Sequence, residues 1–198
     1  MANPKSAINL MPEALKDHRE WLLKQAAAQN SNLIWNTKFQ TFLEDMFSSD
    51  ARLDFWDDAA LPKVIFDFMA ARPDKPRLEQ GRYAVFCAAP MLGAGNRGLL
   101  WVDCGRPELQ AAFAALVQRR RRFYNLEIYL TERSPELLLP PQLLSSIHCW
   151  LRTHHAGNIV SIDVHSYGVF AYSLDPSHCG LEDAREKRLK FQPRAGVA

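Results

Sequence analysis

The hydrophobic positions in the first third of the chain recur with the period of an α-helix. One set follows the spacing i, i+3, i+4, i+7 and i+8 at Phe39, Phe42, Leu43, Met46 and Phe47, and a second set repeats it at Leu61, Val64, Ile65, Phe68 and Met69. Each set predicts an amphipathic helix whose apolar face must pack against another element. Together with a segment that opens at Pro12, they predict a helical region over 1–72.

The pattern changes at Pro73 and Pro76, which predict a linker over 72–80 because proline interrupts helices and favours extended neighbours. Beyond it the apolar runs are short, as is typical of strands. We expect strands at 83–89, 99–104, 126–131, 159–165 and 169–173, and helices at 107–117 and 141–155. This order, ββαβαββ, predicts an α+β fold, with a mixed-sheet domain over 80–175 and a charged tail over 176–198.

Composition narrows the class of protein. The chain has 198 residues, of which 47% are hydrophobic and 23% charged, and its net charge is +2. These values exclude disorder for most of the chain and argue against a dedicated nucleic-acid coat, which carries a strong basic excess. No apolar run approaches the roughly 18 to 20 residues of a membrane helix, and the N-terminal segment lacks a signal-peptide core. We therefore expect a cytoplasmic protein with no membrane partner.

The cysteines give no sign of a metal site or a disulfide framework. Cys87, Cys104, Cys149 and Cys179 are spaced too widely for paired zinc ligands. A chain of this length also buries enough surface to fold without such cross-links. We expect reduced thiols, no metal and no cofactor.

An acidic and aromatic segment lies between the two predicted helices. It contains Asp54, Phe55, Trp56, Asp57 and Asp58. Large aromatic side chains beside carboxylates are typical of a protein-binding hot spot, with Trp56 as the anchor and the aspartates as steering charges. The alternative is a loop whose aromatic side chains pack into the helical layer while its acids stay in water.

Four consecutive arginines, Arg119 to Arg122, precede Phe123 and Tyr124. They follow the helix expected at 107–117, so their charge would complement the negative end of its dipole. Cations beside aromatic rings are also suited to binding phosphates or an acidic partner.

The string Gly93-Ala94-Gly95-Asn96-Arg97-Gly98 fits the pattern G-x-G-x-x-G. In a dinucleotide site these glycines join a strand to a helix, whose N-terminus faces the pyrophosphate. Here they lead into an expected strand that begins near Leu99. The required context is absent, so we interpret the string as a hairpin loop.

Ser161, Asp163 and His165 alternate along an expected strand, so they should share one face of the sheet, opposite Val160, Ile162 and Val164. A catalytic triad needs the imidazole between the hydroxyl and the carboxylate, whereas here the aspartate occupies the middle position. An acid–base pair of Asp163 and His165, completed by a residue from elsewhere, remains an alternative.

Asp103 and Cys104 end another expected strand, a position where open α/β sheets place functional groups. A nearby cation, Arg106, and a helix opening at Pro107 could lower the thiol pKa. Cys104 is therefore the best candidate nucleophile in the sequence.

These observations favour a non-enzymatic protein-binding module: a bacterial adaptor, an immunity-type inhibitor or a subunit of a larger assembly. Its expected interaction residues are Asp54 to Asp58 and Arg119 to Arg122, and nucleic acid is a less favoured partner. The alternative is an enzyme or nucleic-acid processing factor that uses Asp103, Cys104, Asp163 and His165. That alternative requires these four side chains to converge.

Overall fold

The computed structural model describes residues 13–29, 33–49, 52–53, 56, 58–71, 73–88, 96–106, 108–120, 123–131, 139–154, 158–166 and 169–176. These residues form four α-helices, α1 (Glu13–Ala27), α2 (Thr37–Met46), α3 (Leu61–Ala71) and α4 (Pro141–His154), and a short 3-10 helix over Leu33–Trp35. They also form nine strands: β1 (Arg52–Leu53), β2 (Ala59–Ala60), β3 (Arg77–Glu79), β4 (Tyr83–Ala88), β5 (Arg97–Asp103), β6 (Gln110–Arg120), β7 (Phe123–Leu130), β8 (Asn158–Ser166) and β9 (Val169–Leu174). The helices and the mixed sheet give the predicted α+β fold.

The N-terminal helices form the predicted helical layer. α2 begins after Asn36, whose side chain accepts a hydrogen bond from the backbone N–H of Lys38 at 3.0 Å and so satisfies one free donor of the first turn. The predicted apolar faces are buried, as shown by Phe39 and Phe42 on α2 and by Val64 and Phe68 on α3.

Strands β3 to β9 form one seven-stranded sheet in which each strand lies beside its neighbour in the sequence. Every pair is antiparallel except β7 and β8, which are parallel. A parallel pair needs a crossover connection, and α4 lies in that connection. β1 and β2 pair separately, between α2 and α3.

The prediction of a helix over 107–117 is wrong, because residues 110–120 form an interior strand of the sheet. From Gln110 to Val117 every residue of β6 is buried. A strand covered on both faces shows no alternation of polar and apolar residues, so its spacing resembled that of a helix. The order between residues 83 and 174 is therefore ββββαββ, and the predicted linker contains the edge strand β3.

The sheet separates two apolar cores. On one face α1 and α3 contact β4, and α3 also contacts β5. The rings of Phe68 on α3 and Phe113 on β6 meet here at a centroid distance of 5.5 Å. On the other face Leu143, Ile147 and Trp150 of α4 pack on the sheet. The domain boundaries predicted at residues 72 and 80 stay a prediction, and residues 177–198 of the predicted tail lie outside the described residues.

Gly98, the last glycine of the G-x-G-x-x-G string, lies within β5. A Cβ at this position would lie 2.7 Å from Cδ1 of Phe68 and 3.0 Å from Cε2 of Phe113. Glycine here allows α3 to approach the sheet closely, which is a packing requirement. Gly93 and Gly95 lie outside the described residues.

Candidate functional site

The sheet face toward the helical layer is polar on β7, β8 and β9. On β6 this face carries the apolar residues Phe113 and Ala115. On the next three strands the side chains at the paired positions are mostly polar. We call this set the polar face: Asn125, Glu127, Tyr129, Ser161, Asp163, His165 and Ser173. The register pairs Asn125 with Ser161, Glu127 with Asp163, and Tyr129 with His165. One half of a sheet face thus concentrates hydrogen-bonding and ionisable groups.

Glu127 lies at the centre of the polar face and is only 5% exposed. Its Oε2 is 3.0 Å from Nε2 of His165, and its Oε1 is 3.4 Å from Nη2 of Arg119. A carboxylate only accepts hydrogen bonds, so this contact requires the proton on Nε2 of His165. The imidazole also stacks on the Tyr129 ring, with centroids 4.5 Å apart and planes 15° apart. A buried acid therefore holds both a histidine and an arginine.

Asp163 has different partners from those expected. Its Oδ1 accepts a hydrogen bond from Ser173 Oγ at 2.6 Å, and its Oδ2 accepts one from Ser161 Oγ at 3.3 Å. The predicted shared face of Asp163 and His165 is confirmed, but the carboxylate that contacts His165 is Glu127. The sequence signal for Glu127 was the alternation of Asn125, Glu127 and Tyr129 with the apolar residues of β7.

Asp103 is part of an ion-pair cluster at the end of β5. Arg82 donates to both of its oxygens from Nε and Nη2, each at 2.6 Å, and the backbone N–H of Gly105 donates at 2.8 Å. Nε of Arg106 lies 3.4 Å from Oδ2 of Asp103. Burial opposes ionisation, but these hydrogen bonds and the charges of Arg82 and Arg106 hold the pKa of Asp103 below its ordinary value.

Cys104 lies in the core beneath the helical layer, and burial raises the pKa of its thiol to about 12. This environment counts against the expected reactive thiol, because the thiolate is the nucleophile and burial disfavours it. Cys104 follows β5, three strands from His165 on β8. At about 4.8 Å per strand the two are separated by roughly 14 Å or more. The four residues of the catalytic alternative do not converge.

The first two residues of the arginine cluster end strand β6, so the predicted place of the cluster at a helix C-terminus is wrong. Arg119 and Arg120 end β6 and are exposed, and Arg121 and Arg122 lie outside the described residues. The pairing of β6 with β7 shifts between Gln118 and Arg120, which makes Arg119 the extra residue of a β-bulge. Bulges reorient side chains, and this one accompanies the contact of Arg119 with Glu127.

A second bulge lies across β7 from the first. Tyr124 on β7 pairs with Ile159 on β8, and the next residue, Asn125, pairs with Ser161. Val160 therefore has no paired residue on β7 and is the extra residue of the bulge. The alternation expected along this strand is interrupted at Val160, which is 51% exposed, whereas Ile162 and Val164 are buried. Phe123, at the start of the adjacent strand, is 44% exposed. We call Arg119, Arg120, Phe123 and Val160 the arginine surface.

In the acidic and aromatic segment the structure describes Trp56 and Asp58, whereas Asp54, Phe55 and Asp57 lie outside the described residues. Trp56 is half-buried, and the centroid of its ring lies 4.9 Å from that of Phe68. This packing agrees with the alternative interpretation, in which the aromatic side chains of the segment pack into the helical layer. Asp58 is exposed and has a φ of 55°, a conformation that aspartate tolerates better than most residues.

Comparison with protein-family models, curated proteins and solved structures finds no match for this chain. Among the described residues no three acidic, histidine or cysteine side chains are grouped closely enough to hold a metal ion. The helices in the described ranges are too short or too polar to cross a membrane. Any functional assignment therefore rests on the arginine surface and the polar face.

Proposed function

We propose that this protein is a non-enzymatic protein-binding module whose arginine surface binds an acidic surface of a partner protein. One observation carries the proposal. Trp35, Phe123 and Val160 are the exposed large hydrophobic residues among those described, and two of them lie on adjacent strands beside Arg119 and Arg120. An apolar centre flanked by arginines is a typical composition for a binding hot spot.

The strand ends that carry this surface have charge of one sign, and the acid in contact with it, Glu127, is buried. The segments 117–125 and 158–162 contain four arginines and no acidic residue. Arg120 forms no ion pair within the described part of the chain. Guanidinium groups pair with carboxylates in a bidentate manner, so a partner that presents Asp or Glu around an apolar pocket fits this surface.

The arginine surface stands on interior strands rather than on a loose connection. β6 and β7 each have a paired strand on both sides, and the backbone N–H of Gln118 donates to Asn96 Oδ1 at 2.8 Å. A surface ordered before binding loses less conformational entropy when the complex forms. This rigidity supports a recognition role.

The acidic and aromatic segment, Asp54 to Asp58, remains part of the proposal as a second contact that steers association. Adaptors, immunity-type inhibitors and subunits of larger assemblies are kinds of protein with these properties, and we expect this one to act in the cytoplasm. Nucleic acid is less favoured, since the net charge is only +2 and carboxylates of the polar face lie next to the arginine surface.

Affinity purification from the native host, at moderate and at high salt, tests the proposal. The triple variant Arg119→Ala, Arg120→Ala, Phe123→Ala should lose a stoichiometric protein partner that the wild type retains. A matched control, Lys24→Ala, Arg152→Ala, Trp35→Ala, removes the same charge and one exposed aromatic side chain elsewhere and should retain the partner. Equal retention by both triple variants would refute the surface.

A further inference from the structure

A second group of arginines lies at the opposite end of the sheet from the arginine surface. Arg82 and Arg106 contact Asp103 at the end of β5. Asp103 pairs with Gln110 at the start of β6, whereas Arg119 lies near the end of that 11-residue strand. At about 3.3 Å per residue the two groups are roughly 30 Å apart. They are therefore separate surfaces of the molecule.

The backbone of Arg82 is held on both sides. Gln80 and Gly81 have φ angles of 53° and 65°, and the N–H of Arg82 donates to the carbonyl of Glu79 at 3.1 Å, which together define a tight two-residue hairpin turn between β3 and β4. The carbonyl of Arg82 accepts a hydrogen bond from the N–H of Cys104 at 3.1 Å. Arg82 thus projects from a fixed position.

The side chain of Arg82 is also fixed. Its Nε and Nη2 donate to the two oxygens of Asp103 at 2.6 Å, and the Asp103 side chain is only 3% exposed. Cζ of Arg82 lies 5.1 Å from the centre of the Tyr83 ring. The chain of Arg82 also passes close to Gly105, where an added Cβ would lie 2.7 Å from Cγ of Arg82. A buried acid, an aromatic ring and a glycine therefore orient this guanidinium.

One edge of the Arg82 guanidinium stays open. Arginine has five N–H donors, and Asp103 takes one from Nε and one from Nη2. The end edge, formed by Nη1 and the second N–H of Nη2, has no partner among the described residues, and the Arg82 side chain is 41% exposed. Guanidinium edges bind oxyanions through two parallel hydrogen bonds. This edge is thus oriented in advance for a second oxyanion.

Arg106 brings a second guanidinium to the same place. Its Nε lies 3.4 Å from Oδ2 of Asp103, and its side chain is 47% exposed. Arg19 on α1 donates from Nη2 to the backbone carbonyl of Arg106, which ties the segment after β5 to the helical layer. The nearby acids in the sequence, Glu20 and Glu108, are exposed and form no ion pair with the described residues. Neither of them competes for the open edge of Arg82.

We propose that Arg82 and Arg106 bind a phosphate group. A phosphate group has three terminal oxygens and a charge close to −2 at neutral pH, so it can contact two guanidiniums at once. A carboxylate has two oxygens, and a single guanidinium edge occupies both of them. Asp103 acts through Arg82 and is a positioning residue. This site is independent of the arginine surface and goes beyond the proposed protein-binding function.

An NMR titration of the full chain with inorganic phosphate at pH 7.5 and constant ionic strength tests the site. The Nε–H signal of Arg82 and the backbone N–H signal of Gly105 should shift and saturate. Arg82→Lys keeps the charge beside Asp103 but lacks the end edge, and Arg106→Ala leaves the pair of Arg82 and Asp103 intact. Each should weaken binding about tenfold, the loss expected for one charge-assisted hydrogen bond. Arg120→Ala, on the arginine surface, is the matched control and should bind phosphate like the wild type.

Three results would overturn the proposal: no saturable shift in the wild type, wild-type affinity in both Arg82→Lys and Arg106→Ala, or equal weakening by Arg120→Ala. Circular dichroism checks that each variant is folded. Acetate tests the class of ligand, and saturation by acetate at the same concentrations would overturn the assignment to phosphate.

A titration with O-phosphoserine distinguishes the source of the phosphate group. Binding as tight as that of inorganic phosphate supports a phosphate ester as the ligand, whereas binding of inorganic phosphate alone supports the free ion. The triple variant of Arg119, Arg120 and Phe123 should bind phosphate normally even where it loses its protein partner. The phosphate site and the arginine surface therefore succeed or fail separately.

Discussion

Asp103 and Glu127 are both buried carboxylates on this sheet, and both contact an arginine, but their surroundings differ. Arg82 reaches both oxygens of Asp103 at 2.6 Å, and a backbone N–H adds a third bond. Glu127 has one contact of 3.0 Å and one of 3.4 Å, each to a different side chain. An acid with short, saturated bonds fixes the local structure, whereas an acid shared between two looser partners can respond to a change in either.

Replacing Asp103 should cause the largest change in stability. Asp103→Asn removes the charge from a buried, multiply bonded group and should lower the free energy of unfolding by about 1–3 kcal/mol. Urea titration monitored by circular dichroism measures this loss. Asp163→Asn, which changes a carboxylate bonded only to serine hydroxyls, is the control and should lose less. A smaller loss for Asp103 than for Asp163 would contradict the comparison.

The effect of Asp103 should also depend on pH in a known direction. Because folding lowers the pKa of Asp103, its stabilising contribution is fully present above the ordinary aspartate pKa and is lost as the pH falls through the lowered folded-state value. The difference in unfolding free energy between wild type and Asp103→Asn should therefore shrink in acid. Measurements from pH 7 down to pH 2.5 test this, and a constant difference would show that the charge is not responsible.

Neutralising Glu127 should cost less stability. Glu127→Gln keeps the side-chain shape and an acceptor for His165, so we expect a loss below about 1 kcal/mol. The same urea titration at pH 7 measures it. A loss as large as that of Asp103→Asn would mean that Glu127 also serves mainly to hold the fold.

The smallest effect concerns chemical reactivity near Asp103. Cys104 is buried and the pKa of its thiol is about 12, whereas Cys149 on α4 is exposed. Iodoacetamide at pH 7.5, followed by peptide mass spectrometry, should modify Cys149 much faster than Cys104 in the folded protein. Unfolding in urea is the control and should remove the difference. Rapid labelling of Cys104 in the native state would contradict its burial.

Helical periodicity predicted the helical layer, and short apolar runs predicted most strands, including β4 and β5, which are buried on both faces. The prediction failed for β6, which is also buried on both faces but is 11 residues long and rich in alanine, a strong helix former. That error also placed the arginine cluster at a helix terminus, whereas Arg119 and Arg120 end a strand. The exposure of Val160 was equally hidden, since a β-bulge depends on pairing with another strand.

The candidate site was predictable only in part. Alternation placed Asp163 and His165 on one face, but the partner of His165 comes from a parallel strand distant in the sequence. The ion pair of Asp103 was missed for a similar reason, because its partner Arg82 comes from the turn before β4, the strand next to β5. Local spacing shows which side chains share a face, and tertiary pairing decides which of them meet.

The strand order has a consequence for how the chain folds. β3 to β7 pair with their sequence neighbours, so their contacts close short loops, whereas β8 joins β7 only after the longer connection that contains α4. Longer loops cost more entropy to close, which slows the contacts that depend on them. The contact between Glu127 and His165 spans β7 and β8 and therefore belongs to that late step. We expect β3 to β7 to pair first, so that Glu127 contacts Arg119 before it contacts His165.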